Sequence, residues 1–320
     1  MDNPQLEVKK KFSFGEAISK LGPLVALLFL VILVSIMNPS FITSDNLLNL
    51  LRQASINAVI AFGMSFVILT GGIDLSVGST LALSSALVAG LIATGVSPVV
   101  AIIAGLTTGA ILGMVNGLLI TKGNMAPFIA TLATMTIYRG MTLVYTDGNP
   151  ITGIGESYLF KFIGRGYVVG VPFPVIIMII SFILLFVLLH KTAFGKKTYA
   201  IGGNVKAAKL AGVKTDRVQI LIYTLSGFMA SIAGIILTSR LNSAQPTAGQ
   251  AYEMDAIAAV VLGGTSLSGG KGRIFGTLVG ALIIGTINNG LNLLGVSSFY
   301  QQIVKGIVII IAVLIDRKKK

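Results

Sequence analysis

From Leu21 to Ile315 the chain repeats one pattern: apolar runs, mostly about 17 to 22 residues long, each closed by a short polar or Gly-rich interval. Crossing the hydrocarbon core of a bilayer takes roughly 20 helical residues. Only a helix or a closed barrel satisfies every backbone polar group in that core. A barrel needs apolar–polar alternation along each strand, and no sustained alternation of that kind is present. The pattern therefore predicts an all-α integral membrane protein. The low charged fraction, 11% against about 25% in soluble domains, points the same way.

Ten runs are read as transmembrane helices: 21–37, 56–70, 77–93, 98–120, 127–145, 171–189, 218–238, 256–270, 274–294 and 299–315. The second and eighth are short. Gly263-Gly264 and Gly269-Gly270 make the eighth a candidate broken helix. The longest polar interval, 190–217, carries Lys191, Lys196, Lys197, Lys206, Lys209, Lys214 and Arg217 against one acid, Asp216. An excess of Lys/Arg in a short loop marks the cytoplasmic side. With this loop inside, both termini are cytoplasmic, and the inner segments hold 18 of the 24 Lys/Arg. Residues 1–20 form a cytoplasmic tail, 21–315 a single polytopic domain and 316–320 a basic cytoplasmic tail. The stretches 38–55, 147–170 and 239–254 lie outside.

The chain has no Cys and one His, His190. That excludes disulfides, a thiol nucleophile and zinc sites built on Cys or several His. The formal charge of +13 sits in loops and tails, so it is read as orientation rather than nucleic-acid binding. Gly264–Gly272 fails the phosphate-loop pattern, with Thr265 where the first Gly belongs and Gly272 where Ser/Thr should follow Lys271. The chain is expected to bind no ATP, metal or other cofactor itself. It offers no base, nucleophile and orienter as a set, so no catalytic residue is assigned.

Several polar groups interrupt the apolar runs. Asp74, in the break Gly71-Gly72-Ile73-Asp74-Leu75-Ser76, is read as a cap for the next helix and as a gate or substrate contact. A carboxylate inside a membrane is usually paired or functional. Thr131, Thr134, Tyr138, Thr142 and Tyr145 share one face of the fifth run. They can line the path of a neutral hydroxylated solute, or bond to their own backbone at i−4. Arg139 beside them is read as an interfacial anchor or a partner of an acid. Asn288, Asn289 and Asn292 share a face with Gly285 and must meet protein or a wet cavity, because an unsatisfied amide is costly in lipid. Gly105, Gly109, Gly113 and Gly117 form a close-packing ridge with Asn116 beside it. The break 71–78 resembles 263–270. Internal duplication and chance in a Gly/Ser-rich chain both account for that match. In the basic loop, small residues in Lys206-Ala207-Ala208-Lys209-Leu210-Ala211 before Gly212 predict a short helix stopped by glycine.

The segments ILTGGIDLSVGS (68–79), MAPFIATLATMTIYRG (125–140), TDGNPITG (146–153), FGKKTYAIGGN (194–204), SAQPTAG (243–249), AIAAVVLGGTSLSGGKG (256–272) and INNGLNLLGVSSFYQ (287–301) resemble the ribose-type permeases of bacterial ATP-binding-cassette sugar importers. The likeness spans nearly the whole chain and keeps its order. Ala207-Ala208-x-x-x-Gly212 matches the core of the loop by which such importers contact their ATPase. That pattern begins with Glu, and Lys206 stands there in this chain. The resemblance implies a multi-pass homodimeric permease among the lipids of the bacterial cytoplasmic membrane. A cytoplasmic ATPase would join it through Gly202, Gly203, Asn204, Lys206, Ala207, Ala208 and Gly212, and use the ATP. An extracytoplasmic sugar-binding protein would dock on 147–170 and 239–254. The implied cargo is D-ribose, with another pentose, a hexose or a nucleoside as the nearer alternatives. The implied path passes Asp74, Thr131, Thr134, Tyr138, Asn288, Asn289 and Asn292. A reading from another class, an ion-coupled carrier, would call for intramembrane acids or His beyond Asp74.

Overall fold

The structure, a computed structural model, describes the backbone of residues 14–154 and 157–317. Residues 1–13 and 318–320, which fall in the tails read above as cytoplasmic, lie outside the described residues, as do 155–156. Thirteen helices make up the described chain: α1 Phe14–Met37, α2 Ser44–Leu69, α3 Val77–Ala93, α4 Pro98–Thr121, α5 Pro127–Thr146, α6 Tyr158–Arg165, α7 Phe173–Lys191, α8 Ala193–Gly203, α9 Val205–Leu210, α10 Thr215–Leu241, α11 Tyr252–Leu262, α12 Ile274–Leu293 and α13 Ser298–Arg317. Among the described residues the strands are two two-residue ones, β1 Tyr167–Val168 and β2 Val171–Pro172, paired as a hairpin.

Five helices are long and apolar enough to cross a membrane: α2, α4, α7, α10 and α12. The runs 22–37, 77–93 and 298–311 are apolar but shorter. Every one of the ten predicted spans contains a helix, and the start of α3, α4, α5 and α12 falls on the predicted residue. Proline opens α4 and α5, where its missing N–H would have no helical partner anyway.

Three segments differ from the sequence reading. Residues 38–55 are not a polar connector. A single 3₁₀ turn, Pro39–Ile42, leads straight into α2, which begins twelve residues before the expected start. Leu47, Leu50, Leu51 and Ala54 form a helical apolar face there. Asp45, Asn46, Arg52 and Gln53 on the other face dilute the local hydropathy. The outer stretch 147–170 is likewise not all loop, since α6 buries Phe160 and Gly164. The eighth segment stops at Leu262, and residues 263–273 run on without helix.

The core sits around α2 and α10. From Ala54 to Leu69 nearly every residue of α2 is buried, and α10 buries an unbroken run from Met229 to Gly234 except Ile232. The glycine ridge of α4 is where α10 comes close. A Cβ at Gly109 would strike Ser231 and the Gly227 carbonyl, one at Gly113 the Tyr223 carbonyl, and one at Gly117 the backbone of Ile220. Small residues thus let the two backbones touch, which is how membrane helices gain packing without a hydrophobic drive. On the opposite flank, Lys305 of α13 pairs with buried Asp255 of α11 at 2.9 Å.

The coupling segment and the buried polar node

Within the basic loop, α8 and α9 are set by their caps. The Thr192 hydroxyl accepts from the Gly195 N–H at 3.4 Å, and the Asn204 side chain accepts from the Ala207 N–H at 3.0 Å. The helix α9 ends at Gly212, whose φ of +80° is the left-handed region that favours glycine. Gly212 N–H donates to the Lys209 carbonyl at 3.1 Å, and Val213 N–H to the Ala208 carbonyl at 3.0 Å. Those two bonds define a Schellman stop. Ala208 is the buried foot of α9, while Lys206, Ala207, Lys209 and Leu210 face outward. Leu210 is 90% exposed, an unusual place for a large apolar side chain on a charged segment.

The end of α8 touches the membrane core. A Cβ at Gly202 would collide with the Leu69 carbonyl oxygen, at the end of α2, and the Gly270 amide. Gly270 N–H itself donates to that Leu69 carbonyl at 2.9 Å. Tyr199 of α8 donates its hydroxyl to the Gly272 carbonyl at 2.7 Å. Burial pushes the Tyr199 phenol above its ordinary pKa, so it remains a donor. The helix α8, the end of α2 and the stretch 263–273 therefore meet backbone to backbone. Gly203, one residue on, meets open space.

Beyond Leu69 the chain breaks and turns into α3, and Asp74 sits in the break, 1% exposed. Its Oδ1 accepts from the Ser76 N–H at 3.0 Å and the Ser76 hydroxyl at 2.7 Å. Its Oδ2 accepts from the Ser226 hydroxyl of α10 at 2.8 Å. Asn116 of α4 donates to Ser76 Oγ at 2.7 Å, and Thr131 of α5 to the Ile73 carbonyl at 3.1 Å. One carboxylate thus closes the turn at Ser76, the residue that precedes α3, and ties it to α10, with α4 and α5 bonded around it. The resembling stretch 263–270 meets this break directly: a Cβ at Gly269 would lie 2.9 Å from the Gly71 amide. At the position matching Asp74, Ser266 Oγ accepts from the Ser268 N–H at 3.4 Å. The two breaks share that local turn.

The stripe on α5 faces inward. Thr131, Thr134, Tyr138 and Thr142 are all buried. The hydroxyls of Thr131 and Thr142 donate to carbonyls four residues back, that of Thr134 to one three back, and Tyr138 bonds the Leu112 carbonyl at 3.0 Å. Tyr145 is exposed at the outer end. On α12, Asn289 and Asn46 of α2 exchange amide hydrogen bonds at 2.9 and 2.8 Å. Asn292 accepts from Gln301 at 2.8 Å, and the buried Oδ1 of Asn288 has no partner. Of these two faces, Thr131 bonds the break at Ile73. Arg139 donates to the carbonyls of Pro246 and Ala248 at 2.7 and 2.8 Å, anchoring the 243–249 loop, and its charge also acts on Glu253.

The stretches 147–170 and 239–254 are joined to one another, which sequence spacing could not reveal. Ile151 and Ala244 pair as a bridge, with N–H···O distances of 3.0 and 2.9 Å. Gly164 N–H donates to Ser239 Oγ at 2.8 Å, and Arg165 to Asn242 at 3.1 Å. Ser239 in turn donates to the Phe160 carbonyl.

A family model described as branched-chain amino acid transport system / permease component matches residues 46–313. The chain is 68% identical over 320 residues to the ribose import permease protein RbsC of Bacillus subtilis (strain 168), covering 100% of this chain and 99% of that one. It is 55% identical over 299 residues to RbsC of Escherichia coli (strain K12), 93% of each chain. Among solved structures, an inward-facing conformation of a metal-chelate type ABC transporter matches with a TM-score of 0.51 at 13% identity, over 95% of this chain and 100% of that one. That last likeness carries fold alone.

Proposed function

The chain belongs to the branched-chain amino acid transport system permease family, and on that premise we propose that it is the transmembrane subunit of an ATP-driven, binding-protein-dependent importer of D-ribose. The observation that carries this reading is 68% identity to a ribose import permease along the entire length of both chains. It is a multi-pass protein of the bacterial cytoplasmic membrane. Ten helices cross that membrane, both termini are cytoplasmic, and two copies form the path.

In this mechanism the permease alternates between outward-open and inward-open states. The ATPase grips α9, whose outward Lys206, Ala207, Lys209 and Leu210 offer small, basic and apolar contacts. Its movement reaches the membrane through Gly202, because that glycine leaves no slack against Leu69 and Gly270. From Leu69 the displacement passes to the break at Asp74 and so to α3 and α10. The paired outer stretches 147–170 and 239–254 receive the sugar-loaded binding protein as one surface. The uncharged Thr131, Thr134, Tyr138, Asn288, Asn289 and Asn292 line the opened path with Asp74 at its turn. The Thr134 hydroxyl, held by a carbonyl of its own helix, exchanges that bond for a sugar hydroxyl at little cost. Weak lining suits a carrier, since tight binding in either state would slow release.

Radiolabelled ribose uptake tests this directly. The permease is reconstituted in vesicles with its ATPase and binding protein, with ATP sealed on the ATPase side. Uptake requires both partners and ATP and continues when a protonophore is added. Uptake by the permease alone that collapses with the protonophore would assign the chain to ion-coupled carriers instead.

A further inference from the structure

At the base of α10, beside the coupling segment, lies a cavity of about 390 Å³. Phe194, Val218 and Leu221 form its apolar walls, and Lys197, Lys214 and Arg217 its basic rim. The order along α10 is instructive. Lys214 immediately precedes the helix, and Arg217, Val218 and Leu221 follow within its first two turns. Leu221 lies about two turns into a membrane-length helix and is 55% exposed. The cavity thus runs from a cationic mouth to an apolar end at the edge of the hydrocarbon. The acid of this loop, Asp216, is already held by Lys122 at 3.0 Å, and that contact keeps its carboxyl below the usual carboxylate range. Among the described residues the three rim cations have no salt-bridge partner.

The geometry points to a binding site for one anionic phospholipid of the inner leaflet, its phosphate on Lys197, Lys214 and Arg217 and the start of an acyl chain against Phe194, Val218 and Leu221. Orientation by positive charge alone needs basic residues in the loop, but not an apolar cavity beneath them. A soluble phosphate would answer the cations and leave three apolar walls wet. Basic pockets at helix ends on the cytoplasmic side suit lipid headgroups for this reason. The inference requires that the chain sit in a membrane with this loop inside, and is independent of the cargo.

The experiment uses the full-length permease, stripped of lipid in a neutral detergent, with binding followed by native mass spectrometry. The probes are phosphatidylglycerol, phosphatidylcholine and inorganic phosphate. Phosphatidylglycerol binds in preference to phosphatidylcholine, and phosphate does not displace it. Lys214→Gln with Arg217→Gln weakens that binding roughly thirtyfold, at about a factor of five per charge near an anionic headgroup. The charge-matched pair Lys191→Gln with Lys196→Gln weakens it less than about threefold. Leu221→Asn keeps every charge and still lowers phosphatidylglycerol binding, which gives a second route should the charge variant fold poorly. Equal losses in the two charge-matched pairs would reduce the effect to bulk charge and overturn the site. Displacement by phosphate would do so as well. Loss of ATPase co-purification in the rim variant, with phosphatidylglycerol binding intact, would give the cavity to the ATPase instead.

Discussion

Gly202→Ala abolishes ATP-driven ribose uptake, by at least about tenfold, and lowers the thermal stability of the permease. A methyl group at this position overlaps two backbone atoms, the Leu69 carbonyl oxygen and the Gly270 amide, and neither can rotate away as a side chain would. Forcing atoms into packed structure costs about 1 to 3 kcal/mol. Here the relief is to part α8 from α2 and from the stretch 263–273, against whose Gly270–Leu69 hydrogen bond Gly202 packs. The variant loses the contact through which movement of the coupling segment reaches the membrane. Gly203→Ala is the matched control for stability. Its Cβ meets nothing within 4 Å, so its melting midpoint stays at that of the parent. Equal stability and equal uptake for the two variants would remove Gly202 from the transmission route.

Asp74→Ala leaves three buried donors without an acceptor: the Ser76 N–H, the Ser76 hydroxyl and the Ser226 hydroxyl. A stranded buried donor costs about 1 to 3 kcal/mol, so the alanine variant is expected to lose several kcal/mol and to assemble poorly in the membrane. Asp74→Asn separates shape from charge. Its Oδ1 still accepts from Ser76, and the Ser226 hydroxyl turns to accept the new amide hydrogen. The asparagine variant keeps its melting midpoint near that of the parent and its uptake within about threefold. A well-folded Asp74→Asn permease without uptake would instead place the charge itself in the transport cycle.

Much of this was legible in the chain because a bilayer imposes length. The starts of α3, α4, α5 and α12 follow from where apolar runs begin at Pro, as in α4 and α5, or just after Ser or Arg, as in α3 and α12. Gly212 announced the end of α9 because only a left-handed residue closes that turn cheaply. That Asp74 accepts a backbone N–H where α3 begins followed from its place before Leu75-Ser76-Val77, although the bond goes to Ser76 and not to a residue inside the helix. What escaped depends on partners distant in sequence. The first half of α2 carries enough polar residues to read as a connector, and packing of Leu50 and Ala54 against α1 and α12 gives it one buried face. Periodicity put Thr131, Thr134 and Tyr138 on one face, but could not say that the face turns inward onto Leu112 and its own carbonyls. Asn289 gave no sign that Asn46 would answer it 243 residues away. Gly202 and Gly203 are adjacent and identical in sequence, and only the approach of Leu69 separates the junction from the open position.

The most direct measurement is the reactivity of a single cysteine placed at Leu210, in a chain whose natural sequence contains no cysteine. A membrane-impermeant thiol reagent is applied to right-side-out and inside-out vesicles, with and without the assembled ATPase. The expected result is labelling in inside-out vesicles alone, lost when the ATPase is bound. Labelling from the outer face would invert the topology, and full labelling beneath a bound ATPase would take the coupling role away from α9.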